Sequence, residues 1–320
     1  MEVFKLSLQQ MLMMFVLIAA GFVLRKKRLL PENANSVMSK LEMMIFLPAL
    51  TLYSQMTKCT VETFAVHSRL ILYGALMTLC AILLSFPLSA LFVPNASVSA
   101  QRSYQRKVYQ YAMSFSNVGF MGNFIILGVW GQDVFFQYSL FTFGMSILAN
   151  SWGLYILIPK EHNASLLSKL KDGLMKPPII GLVAGVIIGL LDLTRFVPAF
   201  CLNALENASA CQGPVAMLLA GFVIGGYNFK EIILNKKVYV ASFVRLIVLP
   251  GLMLCALKLL GIDQGMQILA LVAFGTPLGL NTIVFPSAYG GDPKTGASMA
   301  MISHTLSVIT IPLMYLLMIA

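Results

Sequence analysis

Hydrophobic positions in this chain come in long runs, and polar positions gather between them. Ten runs stand out, at about 5–24, 36–56, 67–93, 108–129, 134–158, 177–194, 211–228, 237–260, 265–289 and 295–319. Each is near the roughly 20 apolar residues with which an α-helix crosses the hydrocarbon of a bilayer. The third is long and reads as tilted or as extending past the bilayer. Pro177-Pro178 open the sixth run, where a missing amide donor does little harm. The pattern predicts an all-α integral membrane protein with ten transmembrane helices. Composition agrees: 58% of the 320 residues are hydrophobic and 11% are charged, against about 25% charged in ordinary soluble domains. A water-soluble enzyme is thereby excluded, and the lipid bilayer is the first partner.

Charge sets the orientation. Counted over alternate loops, sixteen Lys and Arg fall on one side, among them Arg25, Lys26, Arg102, Lys176, Lys237 and Lys294. Five fall on the other: Lys5, Lys58, Arg69, Arg195 and Lys258. The positive-inside rule puts the sixteen in the cytoplasm and both termini outside. The net charge of +10 is therefore read as loop bias. Nucleic acid is not an expected partner, because the basic residues come in short clusters between apolar runs. The first apolar run is too long for a cleaved leader, and its basic cluster follows it.

Ten spans divide into five and five, and an odd number per half forces the halves into opposite orientations. Residues 109–133, moved forward by 159 places onto 268–292, set Phe115 on Phe274, Gly131 on Gly290 and Asp133 on Asp292. Pro48 finds a counterpart in Pro214. Such inverted repeats are a recurrent plan of secondary transporters. The expected organisation is a first repeat at 1–158, a linker at 159–176 and a second, inverted repeat at 177–320.

Two runs are interrupted near their middles. The fourth contains Ser116-Asn117-Val118-Gly119-Phe120-Met121-Gly122-Asn123, and the ninth contains Gly275-Thr276-Pro277-Leu278-Gly279-Leu280-Asn281-Thr282, followed by Pro286. Glycine costs about 1 kcal/mol against alanine inside a helix and proline about 3. Freed backbone groups survive in a membrane only where protein or a water-filled cavity satisfies them. Paired interruptions at corresponding places point to a transporter's binding site. A broken helix there offers bare amides and the positive end of its dipole to an anion. Asn117 and Asn281 add carboxamides that donate and accept. The competing reading is close packing of helices on small residues.

The Asn117-x-Gly119-x-x-Gly122 stretch resembles the auxin efflux carrier family, as do Pro277 with Asn281, the closing Tyr289-Gly290-Gly291-Asp292, and Leu47-Pro48-Ala49-Leu50. That family includes plant auxin exporters and bacterial permeases assigned to malate or malonate. The resemblance covers the whole chain. It implies two inverted five-helix repeats whose broken helices four and nine cross at the substrate site. It also implies a scaffold of helices one, two, six and seven beside a transport part made of the rest. By the same likeness Asn117 contacts the substrate carboxylate, with Asn281 as its counterpart; Ser116, Gly119, Gly122, Thr276 and Pro277 complete the candidate site. The chain lacks the long central loop of the plant exporters, which favours a bacterial member in the inner membrane. Val118 stands where Pro277 does in the other half, so Gly119 and Gly122 must supply the flexibility.

Few ionisable residues lie inside the runs, where each is costly. His304 falls near mid-membrane and suits a proton relay or a substrate donor, or an interior packing role. Arg245 is expected to snorkel to the cytoplasmic face or to pair with a carboxylate, with substrate attraction as an alternative. Glu42 is placed at the interface near Lys40, with a coupling role as the alternative. Asp133 and Asp292 are expected to cap the helices that follow them. Ser146, Asn150 and Ser151 form a polar stripe, lining a pathway or bonding between helices. Cys201 and Cys211 share a predicted loop and are candidates for a disulfide. Three Asn-x-Ser matches, at Asn95, Asn163 and Asn207, are read as chance. No cofactor is implied, and no acidic cluster suits a dedicated metal site.

The expected function is secondary transport of a small organic anion, elevator-like and by alternating access, with homodimerisation left open. Two alternatives stand: a membrane sensor on the transporter fold, and a sodium-coupled organic-anion symporter. No zinc-protease motif or Ser/His/Asp set appears, so enzymatic activity is not expected.

Overall fold

The computed structural model describes residues 2–157, 171–227, 235–279, 281–283 and 294–319. His162, Asn163, Pro286, Tyr289–Asp292 and most of the 159–176 linker lie outside the described residues. The expectations resting on them, including the Asp133–Asp292 correspondence, do too.

The described residues are helical almost throughout, with no strand among them. Among the described residues, seven helices are long and apolar enough to cross a membrane: α1 (Lys5–Lys26), α2 (Ala34–Lys58), α3 (Val61–Phe92), α5 (Val118–Leu157), α7 (Ala199–Gly225), α8 (Lys236–Leu259) and α10 (Lys294–Met318). Three further helices are α4 (Ala100–Ser114), α6 (Pro177–Leu190) and α9 (Gln264–Gly275). The 40 residues of α5 are not one rod. Gly131, at φ 76 and ψ −170, leaves helical geometry and turns the chain. Gly122 then packs on the Tyr138 hydroxyl, although about sixteen residues of straight helix would hold the two ~24 Å apart. Two of the ten apolar runs are thus carried by α5.

The surface is what a bilayer requires. Leu83, Leu91, Phe196, Phe200, Leu259 and Leu317 point outward, while Gln55, Gln212, Ser303, Ser307, Glu42 and Arg245 are wholly buried. Because lipid is as apolar as leucine, the helices associate by close packing rather than by expelling water. Glycine provides the approach. Gly181, Gly185 and Gly189, one turn apart on α6, lie on the Pro48, Leu52 and Cys59 backbones of α2. On the α1–α7 pair, Gly21 meets the Leu218 carbonyl and Gly221 the Ile18 carbonyl. In each case a Cβ would overlap main-chain atoms. Thr51 on α2 donates to the Pro178 carbonyl at 3.0 Å and binds the head of α6 in place.

Three expectations need correction. α7 begins at Ala199, so Cys201 and Cys211 are helical rather than in a loop. Ten residues along a helix separate them by about 15 Å, beyond the reach of a disulfide; both thiols are free. Arg245 does not snorkel. It is fully buried, and its Nη1 donates to the Met113 carbonyl at 3.3 Å. That carbonyl ends α4, where a helix has unpaired acceptors and partial negative charge, so the guanidinium compensates the helix end. Glu42 is not at the interface: its carboxyl is fully buried. Asp133, just beyond the Gly131 turn, pairs with Lys58 Nζ at 2.7 Å.

Candidate functional site

α4 ends at Ser114, and Phe115 leaves the helix at φ −121 and ψ 139. α9 ends at Gly275, and Thr276 leaves it at φ −70 and ψ 153. The two extended stretches run side by side. Ser116 and Leu278 form an antiparallel bridge, and the Asn117 amide donates to the Pro277 carbonyl at 2.8 Å. Ser116 Oγ donates to the Ala273 carbonyl, and the Leu278 amide donates to Ser303 Oγ at 3.2 Å. Several backbone groups released by each interruption are therefore satisfied by the other and by α10. Proline suits this place because its carbonyl is needed and its missing amide is not.

Beyond the crossing, α5 restarts with a wide turn. The Asn117 carbonyl accepts from Met121 at 3.1 Å and Gly122 at 3.0 Å. The amides of Val118, Gly119 and Phe120 stand in this first turn, where a helix offers donors no intrahelical acceptor. The Gly119 carbonyl accepts twice, from Asn123 Nδ2 at 2.7 Å and from Gln212 Nε2 on α7 at 3.0 Å. A Cβ on Gly119 would meet only the Leu47 side chain, at 3.9 Å, so this backbone borders open space.

That space is a cavity of about 120 Å³, room for a few waters or a small acid. Ser116, Asn117, Val118, Gly119, Phe120, Asn123 and Asn281 line it, together with Thr51, Tyr111, Ser139, Ser146, Asn150 and Lys176. Lys176 is the one charged side chain among the described lining residues. Asn281 Nδ2 donates to the Tyr111 hydroxyl at 2.9 Å. Asn117 Nδ2 faces His304 Nε2 at 3.2 Å, while His304 Nδ1 lies 2.6 Å from the Ala300 carbonyl. A carbonyl only accepts, so Nδ1 carries the proton, Nε2 accepts, and Asn117 donates to it. His304 thus fixes the Asn117 carboxamide from behind.

The structure brings Ser116, Asn117, Gly119, Asn281 and Asn150 to one cavity. Pro277 touches the site through its carbonyl. Gly122 packs against Tyr138, and Thr276 is buried with its hydroxyl unpartnered. His304 stands one bond behind the wall, and Arg245 lies at the end of α4. Asn150 donates to the Ser146 carbonyl at 2.9 Å, so that stretch of α5 both lines the cavity and bonds within its helix. Sequence reasoning missed Asn123, Gln212 and Lys176. Asn123 follows the Gly122 already singled out, and Lys176 precedes a helix-opening proline pair; Gln212 carried no signal.

Apolar helices facing outward, glycine-laid packing and two interruptions bordering a cavity with polar groups in its wall define a multi-pass helical membrane protein. A family profile described as "Membrane transport protein" matches residues 6–167 and again 160–315. The chain belongs to that family, the auxin efflux carrier family that its motifs resemble. It is similar to a protein of Methanocaldococcus jannaschii named as an uncharacterized transporter, with 26% identity over 200 residues. The match takes in 62% of this chain and 63% of that relative, so the chain spans just under two thirds of the relative's length.

Proposed function

We propose that this protein is a secondary transporter of small organic anions, carboxylates such as malate, malonate or auxin-like acids. One observation carries the reading. Val118, Gly119 and Phe120 of a helix's first turn, Asn117 and Asn281 with their carboxamides, and Lys176 line a single cavity. Amides and carboxamides supply a carboxylate with hydrogen bonds but no fixed counter-charge, so it is held and still released. Lys176, at the cavity's edge before α6, supplies attraction.

The working unit is ten helices in two inverted repeats, 1–158 and 177–320, joined by the 159–176 linker. The two matches of one family profile to successive halves support this, as does the packing. Exchanging the halves turns the α1–α7 contact into the α6–α2 contact, and both are laid on glycine. These four helices form the scaffold. The rest form the transport part, which moves against it in an elevator-like cycle of alternating access. Helix ends assigned to one side by loop charge also meet: Lys58 with Asp133, Lys26 with the Tyr227 carbonyl, and Lys237 with the Phe92 carbonyl. Both termini are placed outside an inner (plasma) membrane. Uptake and exchange of a panel of mono- and dicarboxylates in proteoliposomes tests the reading. Movement of one or more acids supports it, and movement of none across a broad panel defeats it.

A further inference from the structure

Arg245 is the largest wholly buried side chain among the described residues. A guanidinium keeps its proton in proteins, so a full positive charge stands in the interior. It belongs to a π-turn, Val244–Val248, in the middle of α8; turns of this kind recur at functional sites. Its Nη1 donates to the Met113 carbonyl at 3.3 Å, while Nε and Nη2 have no partner. No carboxylate answers the charge. α4, α8 and α10 carry none. Asp263 caps the first turn of α9, at the end away from the crossing.

The Met113 carbonyl needs a donor, not a charge. A glutamine would serve it without burying an ion that has no counter-ion, and in a membrane interior such a charge marks a functional role. The surroundings show what it acts on. α4 and α9 both end at the crossing, and a Cβ on Gly275, the last residue of α9, would meet Pro250 of α8 at 3.8 Å. Two helix C-termini with partial negative charge therefore point at the place where an anion is to be held, and α8 stands against both. Asn117 follows Met113 by four residues, no more than about 15 Å of chain. Tyr111, Ser116 and Asn117 line the cavity, and Arg245 does not.

We propose that Arg245 sets the charge selectivity of the cavity. Without touching the substrate, it offsets the two negative helix ends and holds the cradle at positive potential. Anions are then preferred over neutral molecules of the same shape, and a dianion over a monoanion. Acting from behind a helix end, it attracts without forming an ion pair that would hinder release. Lys176 attracts from the cavity's edge, where salt screens it; a buried charge is screened much less. Across roughly 12 Å at an effective dielectric of about 20, one unit charge changes the affinity of a monoanion about tenfold and that of a dianion about a hundredfold. The inference deepens the organic-anion reading and rests on it.

The test uses the full chain in lipid and three probes of one shape: malonate, malonamate and malonamide, carrying two, one and no charges at neutral pH. Arg245→Gln keeps a donor for Met113 and removes the charge; Arg245→Lys keeps the charge. In Arg245→Gln, the affinity should fall about a hundredfold for malonate and about tenfold for malonamate, and stay unchanged for malonamide, at high salt as at low. Arg245→Lys should restore the ranking. Equal losses for the three probes, or equal losses in the two variants, overturn the proposal, because a structural role would not count charges. A second measurement needs neither substrate nor Arg245→Gln. The thiol of Asn281→Cys, in a Lys176→Gln background at high salt, should react faster with an anionic than with a cationic methanethiosulfonate, relative to 2-mercaptoethanol in solution. No such preference overturns the proposal. If none of the three probes binds the wild type, the organic-anion reading fails for this class of acid, while the reagent preference still decides whether Arg245 holds the cavity positive.

Discussion

Replacing Gly122 by alanine puts a methyl group on the hydroxyl oxygen of Tyr138. The added Cβ would overlap that oxygen and stand 3.0 Å from the ring carbon bearing it. Tyr138 is fully buried and cannot swing aside into lipid. Overpacking of this kind costs about 1–3 kcal/mol. The Tyr138 hydroxyl has no hydrogen-bond partner, so Tyr138→Phe removes an unsatisfied buried group and is expected to be neutral or slightly stabilising. The Phe ring leaves a tight but tolerable contact, so the double variant Gly122→Ala/Tyr138→Phe should regain much of the loss. A coupling of about 1 kcal/mol or more is expected, within the range for residues in direct contact. The assay is apparent melting in detergent for the four proteins of the cycle, where ~1 kcal/mol corresponds to roughly 2–4 °C in a chain of this order of size. Additive effects would mean that residues 122 and 138 do not touch. The turn at Gly131, and with it the return of α5 along the cavity, would then be wrong.

Gly221→Ala should cost at least as much as Gly122→Ala, because its Cβ would strike the Ile18 main chain, which cannot rotate away; apparent melting measures it. Asn117→Leu removes the donor to His304 Nε2 and leaves a buried acceptor unpaired, a loss of about 1–3 kcal/mol, and it should also abolish the stabilisation conferred by a bound carboxylate. Lys176→Gln should weaken carboxylate binding and flatten its dependence on ionic strength, read by titrating the ligand at low and high salt. Alkylation of the denatured, unreduced protein should modify all five cysteines by mass spectrometry, since each thiol is free.

Much of the site was legible because breaking a helix in lipid demands recognisable residues. Gly119, Gly122 and Pro277 mark where the ladder stops, and Asn117 and Asn281 are polar where polarity is costly. The side chains that complete the site were harder to read, since their roles depend on which helix lies opposite. Glu42 stands eight residues into α2, close to Lys40, and nothing local separates an interfacial carboxyl from one sealed beneath α7. Arg245 had snorkelling length, but its neighbour proved to be the end of α4. The first turns of α7 were hidden for another reason. Asn203, Glu206 and Asn207 look like a loop to hydropathy, although a helix that extends beyond the bilayer carries such residues freely. Gly131 gave its signal as a paired position in the repeat, and its positive φ explains why glycine is there.

The central claim is that two interrupted helices meet inside the membrane and jointly hold a carboxylate. Structure determination of the protein in lipid with a transported dicarboxylate tests it most directly. The account predicts ligand density between Asn117 and Asn281, against the Val118–Phe120 amides, with Asn117 bonded to the Pro277 carbonyl beneath it. Density for the ligand elsewhere, or residues 100–130 and 264–283 running as separate unbroken rods, would contradict it.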